Sequence, residues 1–325
     1  ETGIATRFSH ALFQLLVRCG AHARQQQHAN PCAEFLSSTV LGFPIYFHCG
    51  NQQVDCYLCR AAKATTLLRD TALRDTAMND AVDNIAALEA CIGKTPGAIN
   101  LKVIDHLDAG ALRWIASSTL VFAGCGGGDD SDGNVAVTLG GGEPGFARAM
   151  DPARLRLPLA SLDRPQLLRA GSGFGALFLS PGIGETLRVN GRVVLVDDTD
   201  IEIAVDECYV HCAKALLRSH FWSAAPRDDA PPDATAFLAA SRFVALATMD
   251  AQGRCDLSPK GDPAGAMIRL REGRVWYADR PGNRRADSFR NILAQPRIAA
   301  VALIPGSSQV AVLSGTARIT SDAAM

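Results

Sequence analysis

The chain has 325 residues, of which 48% are hydrophobic and 20% charged, with a formal net charge of −1. That length allows two ordinary domains, and that charge gives no general attraction to nucleic acid or to an anionic membrane. The longest apolar runs, Ala11–Val17 and Val40–Phe47, fall far short of the roughly 18 residues of a membrane span, and the start lacks the basic leader and small-residue cleavage site of a full signal peptide.

Residues 1–77 differ in character from the rest. They hold Cys19, Cys32, Cys49, Cys56 and Cys59, a Gln25-Gln26-Gln27 run and little periodicity. The first methionine is Met78. Asn79-Asp80 follows as a helix N-cap, then Val82, Ile85 and Leu88 as the apolar positions of a helix over Ala81–Cys91, with Gly93 as its stop. Residues 1–77 are therefore expected to lie outside the native fold. The rival reading is a small metal module on His48, Cys49, Cys56 and Cys59. Cys56-x-x-Cys59 is half of a zinc site, but no second CxxC or HxxxH follows at the usual spacing, so no metal is expected. The uneven cysteines demand no disulfide framework in a chain of this length, and a reducing cytoplasm is the default location.

From residue 78 onward the sequence repeats itself. Trp114–Val121 resembles Phe237–Val244. Leu179-Ser180-Pro181-Gly182 and Asn190-Gly191-Arg192 resemble Leu303-Ile304-Pro305-Gly306 and Ser314-Gly315-Thr316. This divides the chain into a first copy at 78–223, a Pro- and Asp-rich linker at 224–232, and a second copy at 233–325. By the repeat offset Met325 corresponds to Ile201, so the second copy is expected to be truncated.

Short strands and turn residues alternate in the second copy. Asp233 caps a helix through Ala240; strands are expected at Phe243–Thr248, Arg254–Ser258, Ala266–Leu270, Arg274–Ala278, Ile298–Ile304 and Gln309–Ile319. A helix runs from about Arg284 to Gln295, stops at Pro296, and turns Ala286, Phe289 and Leu293 to one side. The fold expected is mainly β, α+β in class: tandem antiparallel split β-barrels with short flanking helices.

The chemistry concentrates in two segments. Asp279-Arg280-Pro281-Gly282-Asn283-Arg284-Arg285 places two arginines where the helix begins. Cations there oppose the helix dipole, and an anion bound to the free N–H groups and guanidiniums removes the conflict. The alternative is that the arginines splay into water or pair with Asp279 and Asp287. Ser258-Pro259-Lys260-Gly261-Asp262 offers a hydroxyl and a cation to the same anion, or is simply a polar loop.

These two segments, with Asn291–Pro296 and Ile304-Pro305-Gly306, resemble the FMN-binding split-barrel proteins related to pyridoxamine 5'-phosphate oxidase. In the first copy Pro181–Gly191 and Glu207–Lys214 are similar to the same group. The resemblance covers about residues 78–325. It implies FMN held between two barrels, with Ser258, Lys260, Asn283, Arg284 and Arg285 on the phosphate, and Asp279 and Gln309 nearer the ribityl chain or ring.

The first copy departs from this pattern. Gly140 stands where the second copy has Lys260, and Ser161-Leu162-Asp163-Arg164-Pro165-Gln166 replaces the arginine-led helix start. The glycine runs 126–128 and 140–142 lack the Lys-Ser/Thr of a phosphate loop and are expected as hairpin turns. Cys208, His211 and Cys212 suggest a metal site; the reading preferred is a helix with Cys212, Ala215 and Leu216 buried and His211, Lys214 and Arg218 as a basic stripe. The two copies are then expected to form an intramolecular pseudo-dimer around one composite site, with Arg188 and Lys214 crossing from the first copy; further oligomerisation stays open. The function implied is FMN binding, as an oxidoreductase acting on a small-molecule substrate or electron donor. The alternatives are a non-catalytic flavin-binding or sensing module, or a barrel that holds haem or a deazaflavin.

Overall fold

The structure is a computed structural model that describes residues 45–49, 52–57, 81–127, 134–231, 233–271, 274–280 and 282–321. Most of 1–77, including Cys59, lies outside the described residues. Ile45–Cys49 (β1) and Gln52–Tyr57 (β2) are strands of a sheet built mainly from the chain's second half. Ala81–Val82 (β3) pairs with the end of that sheet, and helix Ile85–Ile92 (α1) follows. The helix starts four residues later than its apolar spacing indicated. Val82 is buried against the sheet, and Asn84, not Asn79 or Asp80, caps the helix by accepting the Ala87 N–H at 2.8 Å. Gly93 ends it as expected, with φ of 80°.

The first sheet follows helix Ala109–Ser117 (α2). Its strands are Leu120–Gly126 (β4), Val135–Gly141 (β5), Arg148–Asp151 (β6), Arg154–Pro158 (β7), Gly173–Leu179 (β8), Thr186–Val196 (β9) and Asp200–His211 (β10), ordered β5-β4-β8-β9-β10-β7-β6. The short helix Lys214–Arg218 (α3) closes this half. Helix Ala234–Ala240 (α4) opens the next, with Asp233 accepting the Ala236 N–H at 2.9 Å. The second sheet contains Phe243–Met249 (β11), Cys255–Gly261 (β12), Ile268–Arg271 (β13), Arg274–Asp279 (β14), Arg297–Leu303 (β15) and Val310–Thr320 (β16). Helix Asp287–Ala294 (α5) lies between β14 and β15. The order is β12-β11-β15-β16-β1-β2-β14-β13.

The two orders match strand for strand, with β1 and β2 between β16 and β14 where the first sheet has β10. Register matches too. Leu120 pairs with Gly141 and Leu179, and Phe243 pairs with Gly261 and Leu303. Apart from the parallel contacts of β1, the sheet pairings are antiparallel. The chain is thus mainly β, of α+β class, with curled split-barrel sheets.

Each sheet closes over its own core. Phe174, Phe178 and Ile201 lie in the first core; Leu246, Phe289 and Ile298 lie in the second. A third apolar cluster contains side chains of both sheets: Phe122, Leu177 and Leu179 from the first, and Phe243, Leu257 and Val301 from the second. Phe221 stands edge-on to Phe243 with ring centres 4.9 Å apart. Burial of this many large apolar side chains makes the contact between the sheets core-like rather than incidental.

Candidate functional site

Along β9, side chains alternate. Leu187 and Val189 enter the first core, which turns Arg188 toward the second sheet. Arg188 is fully buried. Its guanidinium donates to Tyr209 Oη at 2.6 Å, Ser258 Oγ at 2.8 Å, Asp287 Oδ2 at 3.2 Å and Asp256 Oδ1 at 3.3 Å. Burial works against the charge, yet Tyr209, Asp256 and Asp287 together hold the pKa above its ordinary value. Asp256 also accepts from Asn190 at 2.7 Å and Asn291 at 2.9 Å. Its burial outweighs Arg188 and raises the carboxyl pKa; burial likewise raises that of Tyr209.

Arg188 is the floor of a cavity of about 420 Å³ between the two halves, within the usual range for small-ligand sites. The wall includes Ser258 and Lys260 from β12, Tyr277 and Asp279 from β14, and the loop 282–286 leading into α5. Lys214 and Arg218 come from α3. That helix lies so close to β12 that a Cβ on Gly261 would stand 2.0 Å from the Ala215 carbonyl oxygen, so only glycine fits.

The paired arginines do not begin the helix. Arg284 and Ala286 both take left-handed backbone, with φ of 57°, and α5 starts at Asp287. An acidic first turn suits the helix dipole, so the conflict expected for Arg284 and Arg285 does not arise. No side chain caps this helix. Asn283 accepts the Arg285 N–H at 3.1 Å, and Thr95 donates to the Arg284 carbonyl at 2.7 Å. Arg285 lies over the Tyr209 ring at 3.9 Å and pairs with Asp287 at 2.5 Å. Lys260 pairs with Asp279 at 2.9 Å and stands 5.3 Å from the centre of the Phe289 ring. The acidic partners weighed from the sequence are thus engaged, but they do not balance the wall. Arg188, Lys214, Arg218, Lys260, Arg280, Arg284 and Arg285 face it against four carboxylates, Asp279 and Asp287 in the wall, Asp256 behind Arg188 and Asp262 behind Arg280.

Residues 230–325 match the family described as pyridoxamine 5'-phosphate oxidase. No curated protein matches the chain. The matched stretch contains β11 to β16 and α5, and so the larger part of the cavity wall.

Of the residues singled out from the sequence, Arg188, Lys214, Ser258, Lys260, Asp279, Asn283, Arg284 and Arg285 meet in this cavity. Gln309 does not. It is exposed just before β16, its N–H bonded to Ser307 Oγ at 3.0 Å. His211 is placed differently from expectation. The helix is only Lys214–Arg218, and His211 ends β10. Alternation along that strand sends Cys208 into the first core and His211 into the cavity wall. Among the described residues no cluster of three His, Cys, Asp or Glu side chains could hold a metal, and no helix is long and apolar enough to cross a membrane.

The corresponding place in the first sheet is filled. Thr138 and Gly140 hold the register positions of Ser258 and Lys260. Gly140 and Gly141 are strand residues of β5, not a hairpin turn, and Gly126 ends β4. A Cβ on Gly140 would stand 2.1 Å from the Ser161 carbonyl oxygen. Thr138 Oγ1 accepts the Arg164 N–H at 3.0 Å. The chain between 159 and 167, two short 3-10 turns instead of a helix, covers Gly140, with which Leu162 forms a β-bridge.

Proposed function

We propose that the chain binds FMN in the cavity between its two sheets and acts as a flavin-dependent oxidoreductase. The two sheets are tandem copies of one split barrel, joined as an internal pseudo-dimer around a single site. The observation that carries this reading is the convergence of cationic side chains from both halves on a cavity beside an uncapped helix start. The family match over 230–325 and the shared strand order of the sheets support it.

The residues fit such a ligand. Arg188 Nε and His211 Nδ1 are buried without a hydrogen-bond partner, and buried polar atoms left so are the exception in folded proteins. Ser258, Lys260, Asn283, Arg284 and Arg285 hold the phosphate, with Asp279 toward the ribityl chain. Arg188 and Lys214 reach it from the first half. Gln309 has no part. FMN supplies the electron-transfer chemistry; the chain binds it, orients it and excludes water. The substrate is a small molecule or an electron donor that reaches the cavity.

The absorption spectrum of the purified protein loaded with FMN tests this reading. Protein-shifted flavin bands that bleach with a nicotinamide donor are expected. Bands that resist every donor would reduce the protein to a flavin-binding module. A haem or deazaflavin spectrum in the protein as isolated would contradict FMN.

A further inference from the structure

His211 and Tyr209 lie on the same side of β10; His211 lines the cavity, and Tyr209 lies behind its wall against Arg188 and Arg285. Tyr209 is satisfied there by Arg188. His211 is not, since its Nδ1 is buried with no hydrogen-bond partner, as is Arg188 Nε. An orphaned polar atom of this kind costs about 1–3 kcal/mol. Two at one cavity mark a position that a ligand completes.

The charged surroundings fix which ligand. Burial, and after it Arg188 from β9, Lys260 from β12 and Arg285 from the loop before α5, hold the imidazole pKa well below its ordinary value, against a smaller opposing effect of the Cys212 backbone. Lys214 from α3 lines the same cavity, with the thiols of Cys91 and Cys212. Asp279 and Asp287 are held by Lys260 and by Arg285 with Arg188. An anion among these cations reverses the local field. A neutral imidazole also keeps one nitrogen as an acceptor, which an anionic oxygen cannot use, whereas the imidazolium offers two donors.

We infer that His211 is a direct contact of the ligand phosphate and takes up a proton from solvent when the phosphate dianion binds, donating an N–H to it. This rests on the flavin reading above. Binding is therefore linked to protonation, so that affinity rises as pH falls toward neutrality and below, for FMN and not for riboflavin.

Calorimetric titration of the full chain with FMN at pH 7, in two buffers of different ionisation heat, reads the proton directly. The wild type should take up about 0.5 proton or more per FMN beyond His211→Gln, a difference that cancels the titration of the phosphate itself. His211→Gln should bind FMN about tenfold more weakly at pH 6.5 and riboflavin unchanged. Nitrogen NMR of the His211 ring in the wild type needs no variant. It should report a neutral ring in the free protein and with riboflavin, and an imidazolium with FMN. Equal proton uptake by both proteins, or a neutral ring in the FMN complex, would overturn the inference while leaving the flavin site standing. Absence of FMN binding to the wild type would overturn both.

Discussion

Lys260 and Gly140 hold the same register position in two sheets of the same strand order, yet one lines a cavity and the other is covered by backbone. The difference lies in the segment after the fourth strand. In the second half it is a loop with left-handed residues leading to a helix whose N-terminus is uncapped. In the first half it is a pair of 3-10 turns whose carbonyl at Ser161 occupies the space a side chain at 140 would need. A shared framework therefore carries one open cavity and one plug. The plugged half still contributes, because β9 and β10 send Arg188, Tyr209 and His211 across to the open half.

The join between the two halves depends most on Arg188. Arg188→Met leaves Asp256 and Asp287 without their shared cation, and removal of one partner of a buried ion pair costs about 3–5 kcal/mol. Thermal or denaturant unfolding should show that loss. An unchanged melting temperature would mean that the buried network does not join the halves. Next, Arg284→Ala with Arg285→Ala removes two charge-assisted contacts worth about 1.5–3 kcal/mol each. FMN affinity should fall at least about a hundredfold, with riboflavin much less affected. Equal losses for both ligands would show that the arginines support the fold and not the phosphate.

Gly140→Ala tests the plug. The added methyl meets backbone, so a loss of about 1–3 kcal/mol is expected, with FMN stoichiometry unchanged. Tolerance of the substitution would mean that the first cleft can open. The smallest effect concerns pH. The folded pKa of His211 is lowered from an ordinary 6.5, so below that value the unfolded chain binds a proton that the ligand-free folded chain refuses. Stability should fall as pH drops through this range, by at most about 1.4 kcal/mol per unit from this group. Above it His211 adds no slope. His211→Gln should remove that part of the slope, which unfolding curves at a series of pH values would show.

Much of this was legible in the sequence because strand spacing and repeat offset are local signals. The second-sheet strands fall within a residue or two of their expected bounds, apart from a three-residue extension of β12 to Gly261. The match of Gly140 to Lys260 departs by a few residues from the repeat offset, because the two hairpin turns differ in length; the strand register establishes it. The signal failed where tertiary contact decides. Nothing local shows that Arg284 and Ala286 take left-handed backbone, which delays α5 to Asp287. His211 was read on a helical stripe because a short helix does follow; β10 extends through it by pairing His211 with Thr186. The two-residue alternation of Tyr209 and His211 against Cys208 and Val210 was the signal available for its true direction. Gln309 was carried by resemblance alone, and the structure gives it no place in the cavity.

An open half and a plugged half together predict one composite site per chain. Equilibrium titration of the full chain with FMN, read by flavin fluorescence against a known protein concentration, tests it most directly. Saturation at one FMN per chain is the predicted result. Two equivalent sites would contradict it.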